Sequence, residues 1–350
     1  MELFDIIKIF FLAALSFVVA VSWTPLLTHF LYKYRLGKQI RDDGSAPVFA
    51  KLHEAKRGTP TMGGVLIWAT LLLIMAVFYY GAEIFSGSQG GSLNFFSRQQ
   101  TLLPLGALIA SALVGLVDDY FNVRRIGPKG GGLRMRHRLI LYTLIAAVGA
   151  LWFYYKLEWD LLRVPFVGSF NIGWWYVPVF ILVIVATSFS VNETDGLDGL
   201  AGGVLASCFA AYGCIAFVQG RTDLAAFCGV IVGALLAFLW FNINPARFFM
   251  GDTGAMSLGV TLGVVAMLTN AALFLPVIGF VFVLESVSVI IQVASKKLRH
   301  KKVFLSAPIH HHFEAIGWSE PKVVMRLWIV ATVTAAIGLV LFMIDHGFFS

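Results

Sequence analysis

Charge is scarce in this sequence. Asp, Glu, Lys and Arg make up 13% of its 350 residues, about half the roughly 25% typical of a soluble domain. That shortage excludes an ordinary water-soluble globule. Cysteine is rarer still. Cys208, Cys214 and Cys228 all lie in apolar runs and form no CxxC, which leaves no thiol redox pair and reads as small buried residues. The chain also lacks a Walker loop, a serine or cysteine nucleophile motif, an internal repeat, a low-complexity tail and any stretch resembling a soluble domain. No small-residue cleavage site follows the first apolar run, so that run is expected to be retained and not removed as a signal peptide.

Apolar sequence is what the chain has in abundance: 59% hydrophobic residues, with a mean hydropathy of +0.83. Runs long enough to span a bilayer fall near 9–32, 62–80, 100–117, 139–155, 173–191, 201–217, 223–241, 255–271, 274–294 and 324–344. The expectation is an all-α polytopic integral membrane protein: one transmembrane domain over 1–350 with ten transmembrane helices. The net charge of +7 is read as topology and lipid contact, with no nucleic-acid partner. All but five of the 26 basic residues (Lys8, Arg98, Lys156, Arg163 and Arg221) fall in or beside the loops after odd-numbered spans. The positive-inside rule makes those five loops cytoplasmic and puts both termini outside. On the outer side, Trp152, Trp159, Trp174 and Trp175 sit near span ends, as an interfacial aromatic belt would.

Each cytoplasmic loop carries a polar cluster that a plain connector does not need. The densest is NETDGLDGLAGG, Asn192–Gly203, with Asn192, Glu193, Asp195 and Asp198 between two apolar runs. Carboxylates this close to lipid-spanning segments point to function, against the plainer reading of a helix-capping turn. If the segment starts a helix, Asp195 and Asp198 share one face. The first loop holds KRGTPTMGG, with Lys56, Thr59 and Thr61, leading into the positive end of the second helix and suggesting an anion site. A Pro/Gly turn with a cap is the alternative there. The second loop opens with Asp118 and Asp119 and continues through Arg124, Arg125, Lys129, Arg134, Arg136 and Arg138, cations suited to phosphates or anionic lipid heads. Adjacent carboxylates face different ways on a helix, so one can meet a metal or reacting oxygen while a cation holds the other. The fourth, FNINPARFFMGDTG, places Asp252 before a helix, where it is either functional or an N-cap. Its Asn242 and Phe249 have an amide and a ring able to read and stack a nucleobase. The fifth holds three consecutive histidines, His310, His311 and His312, suited to phosphate or substrate contact, to acid–base work or to zinc. Glu285 is the one carboxylate well inside a span, and its cost in lipid predicts that it faces a cleft or a helix break.

Acidic oxygens on one membrane face suit a hard cation such as Mg²⁺, and cations with Mg²⁺ suit a diphosphate. The setting implies phosphoryl transfer between a soluble diphosphate and a lipid phosphate. The motifs GTPTMGG, VDDY, NETDGLDGLAGG, MGDTG and APIHHHFE, in that order over all five loops, resemble those of the phospho-N-acetylmuramoyl-pentapeptide transferases of peptidoglycan synthesis. These belong to the polyprenyl-phosphate N-acetylhexosamine-1-phosphate transferase superfamily. The resemblance implies a bacterial inner-membrane homodimer. It implies that undecaprenyl phosphate attacks UDP-N-acetylmuramoyl-pentapeptide, giving the lipid-linked product and UMP with Mg²⁺, either directly or by way of an aspartyl-phosphate intermediate. It also implies the site residues. Asp252 holds the metal, with Asp195 beside it. Asp118 and Asp119 stand at the reacting phosphates. Asn192, Asp195 and Asp198 bind nucleotide or metal. Lys56, Thr61, Asn242 and Phe249 meet the nucleotide half, and His310, His311 and His312 meet phosphate or sugar. Where that family usually has a lysine, this chain has Arg138, which differs in geometry. A related transferase of N-acetylhexosamine 1-phosphate is the nearest alternative. A secondary transporter would need midplane ionisable residues and a repeated fold unit, and a structural lipid scaffold would leave the carboxylates without a use.

Overall fold

The computed structural model describes residues 3–37, 56–84, 93–97, 100–127 and 131–347. Lys129, Arg98 and residues 38–55 of the first loop lie outside them. The chain is almost wholly helical. In order come α1 (Leu3–Lys33), α2 (Val65–Ile84), α3 (Leu102–Val123), α4 (Met135–Lys156), strands β1 (Leu161–Val164) and β2 (Gly168–Asn171), and then α5 (Tyr176–Thr194). After these follow α6 (Leu200–Val218), α7 (Thr222–Asn242), α8 (Gly251–Leu268), α9 (Leu275–Ile278), α10 (Phe280–Arg299), α11 (Ile309–Ala315) and α12 (Glu320–Asp345). Every segment predicted to span contains a helix. Among the described residues eight helices are long and apolar enough to cross a bilayer, or nine if the bent pair α9–α10 is one span. The apolar part of α2, Val65–Gly81, is shorter.

The packing is that of helices in lipid. α1 buries Leu12, Ser16, Ala20, Thr24, Leu27 and Leu31 in one row at three- and four-residue spacing, while Phe10, Val18 and Leu26 on its other sides are exposed. An apolar outer face with small and hydroxyl residues at the contact is expected where lipid replaces water. The central helix is α8, buried along nearly its whole length. Its Gly259 and Gly263 let α5 come close: a Cβ at either would lie 2.8 Å from Ser188 or Ile184.

The predicted span 274–294 is not one straight helix. α9 and α10 meet at 83°, with Pro276 in the first turn of α9 and Gly279 at the junction. These are usual causes of a break. The face of α10 supplies the reason: Glu285, Ser288, Gln292 and Ser295 form a buried polar row, while Ile290 and Val293 are exposed. The row binds the chain that follows. Gln292 Oε1 accepts from the amides of Val303 and Phe304, and Ser295 Oγ donates to the Lys301 carbonyl. This staple brings α11, with its histidines, back onto the bundle.

At the end of the bundle away from the motif-bearing loops, β1 and β2 form an antiparallel hairpin, with Leu161 opposite Asn171 and Val164 opposite Gly168. Arg163 of the hairpin pairs with Asp345 at the end of α12, Nε to Oδ2 2.5 Å. Trp152, Trp174 and Trp175 are exposed as a belt requires. Trp159 instead stacks on buried Phe153, ring centres 5.3 Å apart, under the Arg221 guanidinium.

Candidate active site

The ends of α3 and α5 and the starts of α4 and α8 meet around one guanidinium. Arg138, in the first turns of α4, places Nη2 2.9 Å from Asp252 Oδ2 and donates from Nη1 to Asn192 Oδ1 at 3.2 Å. Its Nε lies 2.7 Å from Asp118 Oδ2, close enough for an ion pair but off the line of the N–H, so neither atom has a well-aligned partner. Asn192 Nδ2 donates to Asp252 Oδ1 at 2.5 Å, and the Leu133 amide donates to Asp118 Oδ1 at 2.5 Å. A planar fork reaches two carboxylates and an amide at once, which a lysine ammonium does not do in this geometry. Asp118 is fully buried, a position such a charge holds only when paired.

Asp119 has a different task. Its Oδ1 accepts from the Asp252 amide at 3.1 Å and from Thr61 Oγ1 at 3.2 Å, and its Oδ2 accepts from the Thr253 amide at 3.0 Å. It therefore caps the start of α8, where backbone donors have no partner within the helix. Asp252 is the second residue of α8 and is not its cap; Asp119 supplies that acceptor from α3. The approach is possible because Gly115 of α3 has no side chain: a Cβ there would lie 2.4 Å from the Asp252 carbonyl oxygen. The two neighbouring aspartates divide as their opposite directions on α3 require, Asp118 to Arg138 and Asp119 to the amides of α8.

A second cluster lies across the turn between α5 and α6. Lys56 Nζ sits 2.6 Å from Asp198 Oδ1 and 2.5 Å from Glu320 Oε1. Asn244 Nδ2 donates to both carboxylates, 2.9 Å to Asp198 Oδ2 and 3.1 Å to Glu320 Oε2, and the Asp198 amide donates to Glu320 Oε1 at 2.7 Å. Phe249 lies under the same ammonium, 5.9 Å from ring centre to Nζ. Asn242 is spent on support: its Oδ1 accepts from the Gly199 amide and its Nδ2 donates to the Phe248 carbonyl.

The histidines divide. His310 Nδ1 lies 2.8 Å from Glu285 Oε2 and His311 Nδ1 2.7 Å from Glu314 Oε2, with the two ring centres 4.1 Å apart. Both Nε2 atoms face Gly196, where a Cβ would come within 2.3 Å of His310 Nε2 and 3.3 Å of His311 Nε2. His312 turns away; its Nδ1 accepts from the Leu305 amide at 3.3 Å and its ring packs on Phe304. Glu285 lies in α10 six residues past Gly279, buried against His310.

Two expectations about local form fail. Asp195 and Asp198 do not share a helical face, because α5 stops at Thr194 and α6 starts at Leu200, so both lie in the intervening turn. The amides of Gly63 and Gly64 are not free to hold an anion: they donate to the Phe249 and Met250 carbonyls, both at 2.8 Å. Thr61 is buried beside them. Sequence reasoning passed over Glu320, Asn244 and Glu314. Glu320 had a legible signal, a carboxylate in the first turn of a span that starts on the loop-rich side; Asn244 and Glu314 had none beyond nearness to motifs.

The sequence is similar to those of known proteins. Residues 101–270, which carry the Asp pair, the 192–203 turn and Asp252, match the model of Glycosyl transferase family 4. Residues 56–67 match phospho-N-acetylmuramoyl-pentapeptide-transferase signature 1. Among curated proteins, the phospho-N-acetylmuramoyl-pentapeptide-transferase of Chloroflexus aggregans is 41% identical over 97% of this chain and 91% of its own length. That of Geobacillus thermodenitrificans is 40% identical over 93% and 95%, and that of Bacillus subtilis 38% over 95% and 97%. With the loop motifs gathered at one end of a helical membrane bundle and identity at this level over nearly its full length, the chain belongs to the phospho-N-acetylmuramoyl-pentapeptide-transferase family.

Proposed function

We propose that this protein transfers phospho-N-acetylmuramoyl-pentapeptide from its UDP-linked precursor to undecaprenyl phosphate, releasing UMP. A phosphate oxygen of the lipid attacks the β-phosphorus, a new P–O bond forms, and the oxygen bridging the two phosphorus atoms leaves with UMP. The observation that carries this reading is the pair of clusters joined by the 192–198 turn. One, Asp118–Arg138–Asp252–Asn192, is suited to reacting phosphates. The other, Lys56–Asp198–Glu320 over Phe249, is suited to the nucleotide. In this reading Arg138 offsets charge on the diphosphate, Phe249 offers a face to the base, and Asp118 takes up the remaining proton of the lipid phosphate where one is present.

The residues fit Mg²⁺. Asp118 Oδ2 is buried without an aligned donor, beside the carboxylate of Asp252 and the amide oxygen of Asn192. This all-oxygen set is hard, as Mg²⁺ prefers. Among the described residues no three His, Cys, Asp or Glu side chains converge as a metal cluster. Asp252 and Asp118 would therefore share the ion with substrate phosphate and water, the usual Mg²⁺ arrangement; Asp195, which the resemblance sets beside the metal, lies in the adjoining turn and does not join them as a third carboxylate among the described residues. When bound, the ion offsets charge on the phosphoryl oxygens. The concentration of Lys and Arg in the loops at this end supports a site on the cytoplasmic face of the bacterial inner membrane, and we read the assembly as a homodimer.

The test is release of UMP from UDP-N-acetylmuramoyl-pentapeptide by the full chain in detergent. We expect release to require both undecaprenyl phosphate and Mg²⁺, and UDP-N-acetylglucosamine to give none. Release from the second nucleotide sugar but not the first would overturn the assignment.

A further inference from the structure

The position that a divalent ion would need already holds a cation belonging to the chain. Arg138 Nη2 is 2.9 Å from Asp252 and Nε is 2.7 Å from Asp118, so the guanidinium lies between the two carboxylates proposed to share the metal. Its third contact is Asn192 Oδ1, the amide oxygen of the same set. Only part of this arrangement is well formed. The contact to Asp252 is an aligned hydrogen bond, whereas Nε and Asp118 Oδ2 are close without alignment. The arginine therefore neutralises the site without saturating it.

A guanidinium stays charged at every pH a protein meets. It cannot yield to a metal by losing a proton; it can yield only by moving. A divalent ion entering beside it would face a unit positive charge a few ångströms away in a partly buried setting, where repulsion is several-fold stronger than in water. The cost disappears if the guanidinium turns to a new anion. A diphosphate is such an anion, and arginine pairs with phosphate oxygens in two-pronged fashion.

We propose that Arg138 is a built-in competitor of the metal, holding Asp118 and Asp252 until a diphosphate draws it away, so that the divalent ion binds tightly only together with the nucleotide substrate. This rests on the metal reading above and adds an order to it: metal and diphosphate are coupled, and Arg138 carries the coupling. By linkage the metal must tighten diphosphate binding by the same factor. Arg138 is thus assigned two successive partners, carboxylate before substrate and phosphate after.

The experiment measures Mn²⁺ binding to the full chain in detergent by the electron paramagnetic resonance of free Mn²⁺, with and without UDP as the diphosphate. In the unmodified protein Mn²⁺ alone should bind weakly and UDP should tighten it. Arg138→Gln should bind Mn²⁺ alone about tenfold more tightly than the unmodified chain, or better, because the repulsion is gone. UDP should then add little. Asp252→Asn should abolish the gain in the Arg138→Gln background. If Arg138→Gln does not fold, Arg138→Lys removes the bridge while keeping the charge, and should tighten Mn²⁺ about threefold as the shorter reach of the ammonium frees one carboxylate. Equal or weaker Mn²⁺ binding in a folded Arg138 variant overturns the proposal, as does a gain that survives Asp252→Asn. Absence of Mn²⁺ binding in every variant overturns it too. The transferase reading is judged separately by UMP release, so either can fail alone.

Discussion

Glu285 and His310 meet at 2.8 Å with neither side chain exposed. With the carboxylate as acceptor, the imidazole donates from Nδ1 and turns Nε2 towards Gly196. Glu285 is thus a positioning residue: it fixes the ring that supports the turn bearing Asp195 and Asp198. Glu285→Gln keeps an acceptor for Nδ1 and should retain most turnover. Glu285→Leu leaves a buried donor unpaired, a loss of about 1–3 kcal/mol, and should lower both the unfolding temperature in detergent and UMP release. A leucine variant as stable and active as the parent would remove this role from Glu285.

The same contact makes Gly196 irreplaceable by addition. An alanine there puts Cβ 2.3 Å from His310 Nε2, and overpacking of this kind costs about 1–3 kcal/mol. Gly196→Ala should raise KM for the nucleotide substrate by displacing the turn. Because the obstacle is the imidazole, Gly196→Ala with His310→Ala should lose less than the sum of the two single changes. Additive losses would mean that the glycine is needed for another reason.

Asp119 and Asp252 are joined by one hydrogen bond and should separate cleanly in experiment. Asp119 accepts from two amides of α8, so Asp119→Ala removes a cap worth about 1–2 kcal/mol and should lower stability as well as turnover. Asp252 accepts only from side chains among the bonds described, those of Arg138 and Asn192. Asp252→Asn keeps the side chain's size and an acceptor for Arg138 and Asn192, and should abolish turnover with the unfolding temperature within a few degrees of the parent. The reverse pattern, a stable Asp119 variant and an unstable Asp252 variant, would exchange their roles.

These residues show what the sequence revealed and where it stopped. Hydropathy placed a helix in every long apolar run, though among the described residues eight or nine, not ten, are long and apolar enough to span, and polar residues crowded between such runs marked the site loops. The partition of the Asp118–Asp119 pair followed from helical geometry alone. Which partner each would take did not, since Arg138 lies in another helix and the amides of α8 more than a hundred residues away. The break at Gly279 was hidden because a hydropathy window averages the polar row of α10 with its apolar face. Asn242 looked like a free recognition group; its amide is consumed by Gly199 and Phe248, backbone partners that a sequence does not reveal.

Lys56 stands between Asp198 and Glu320 with all three side chains largely buried, and the two carboxylates are also bridged by Asn244. Removing the ammonium leaves two like charges facing each other with one neutral amide between them. Breaking a buried charge pair in this way costs on the order of 3 kcal/mol, so Lys56→Met should lose stability in proportion. It should also raise KM for the UDP-linked substrate while leaving KM for undecaprenyl phosphate nearly unchanged, because the cluster adjoins Phe249 and not Asp118. Adding Glu320→Gln to Lys56→Met removes one of the two stranded charges and should recover about half of the lost stability without restoring nucleotide affinity. If the double variant regains affinity as well, Lys56 serves only to hold the carboxylates apart and makes no contact with the nucleotide.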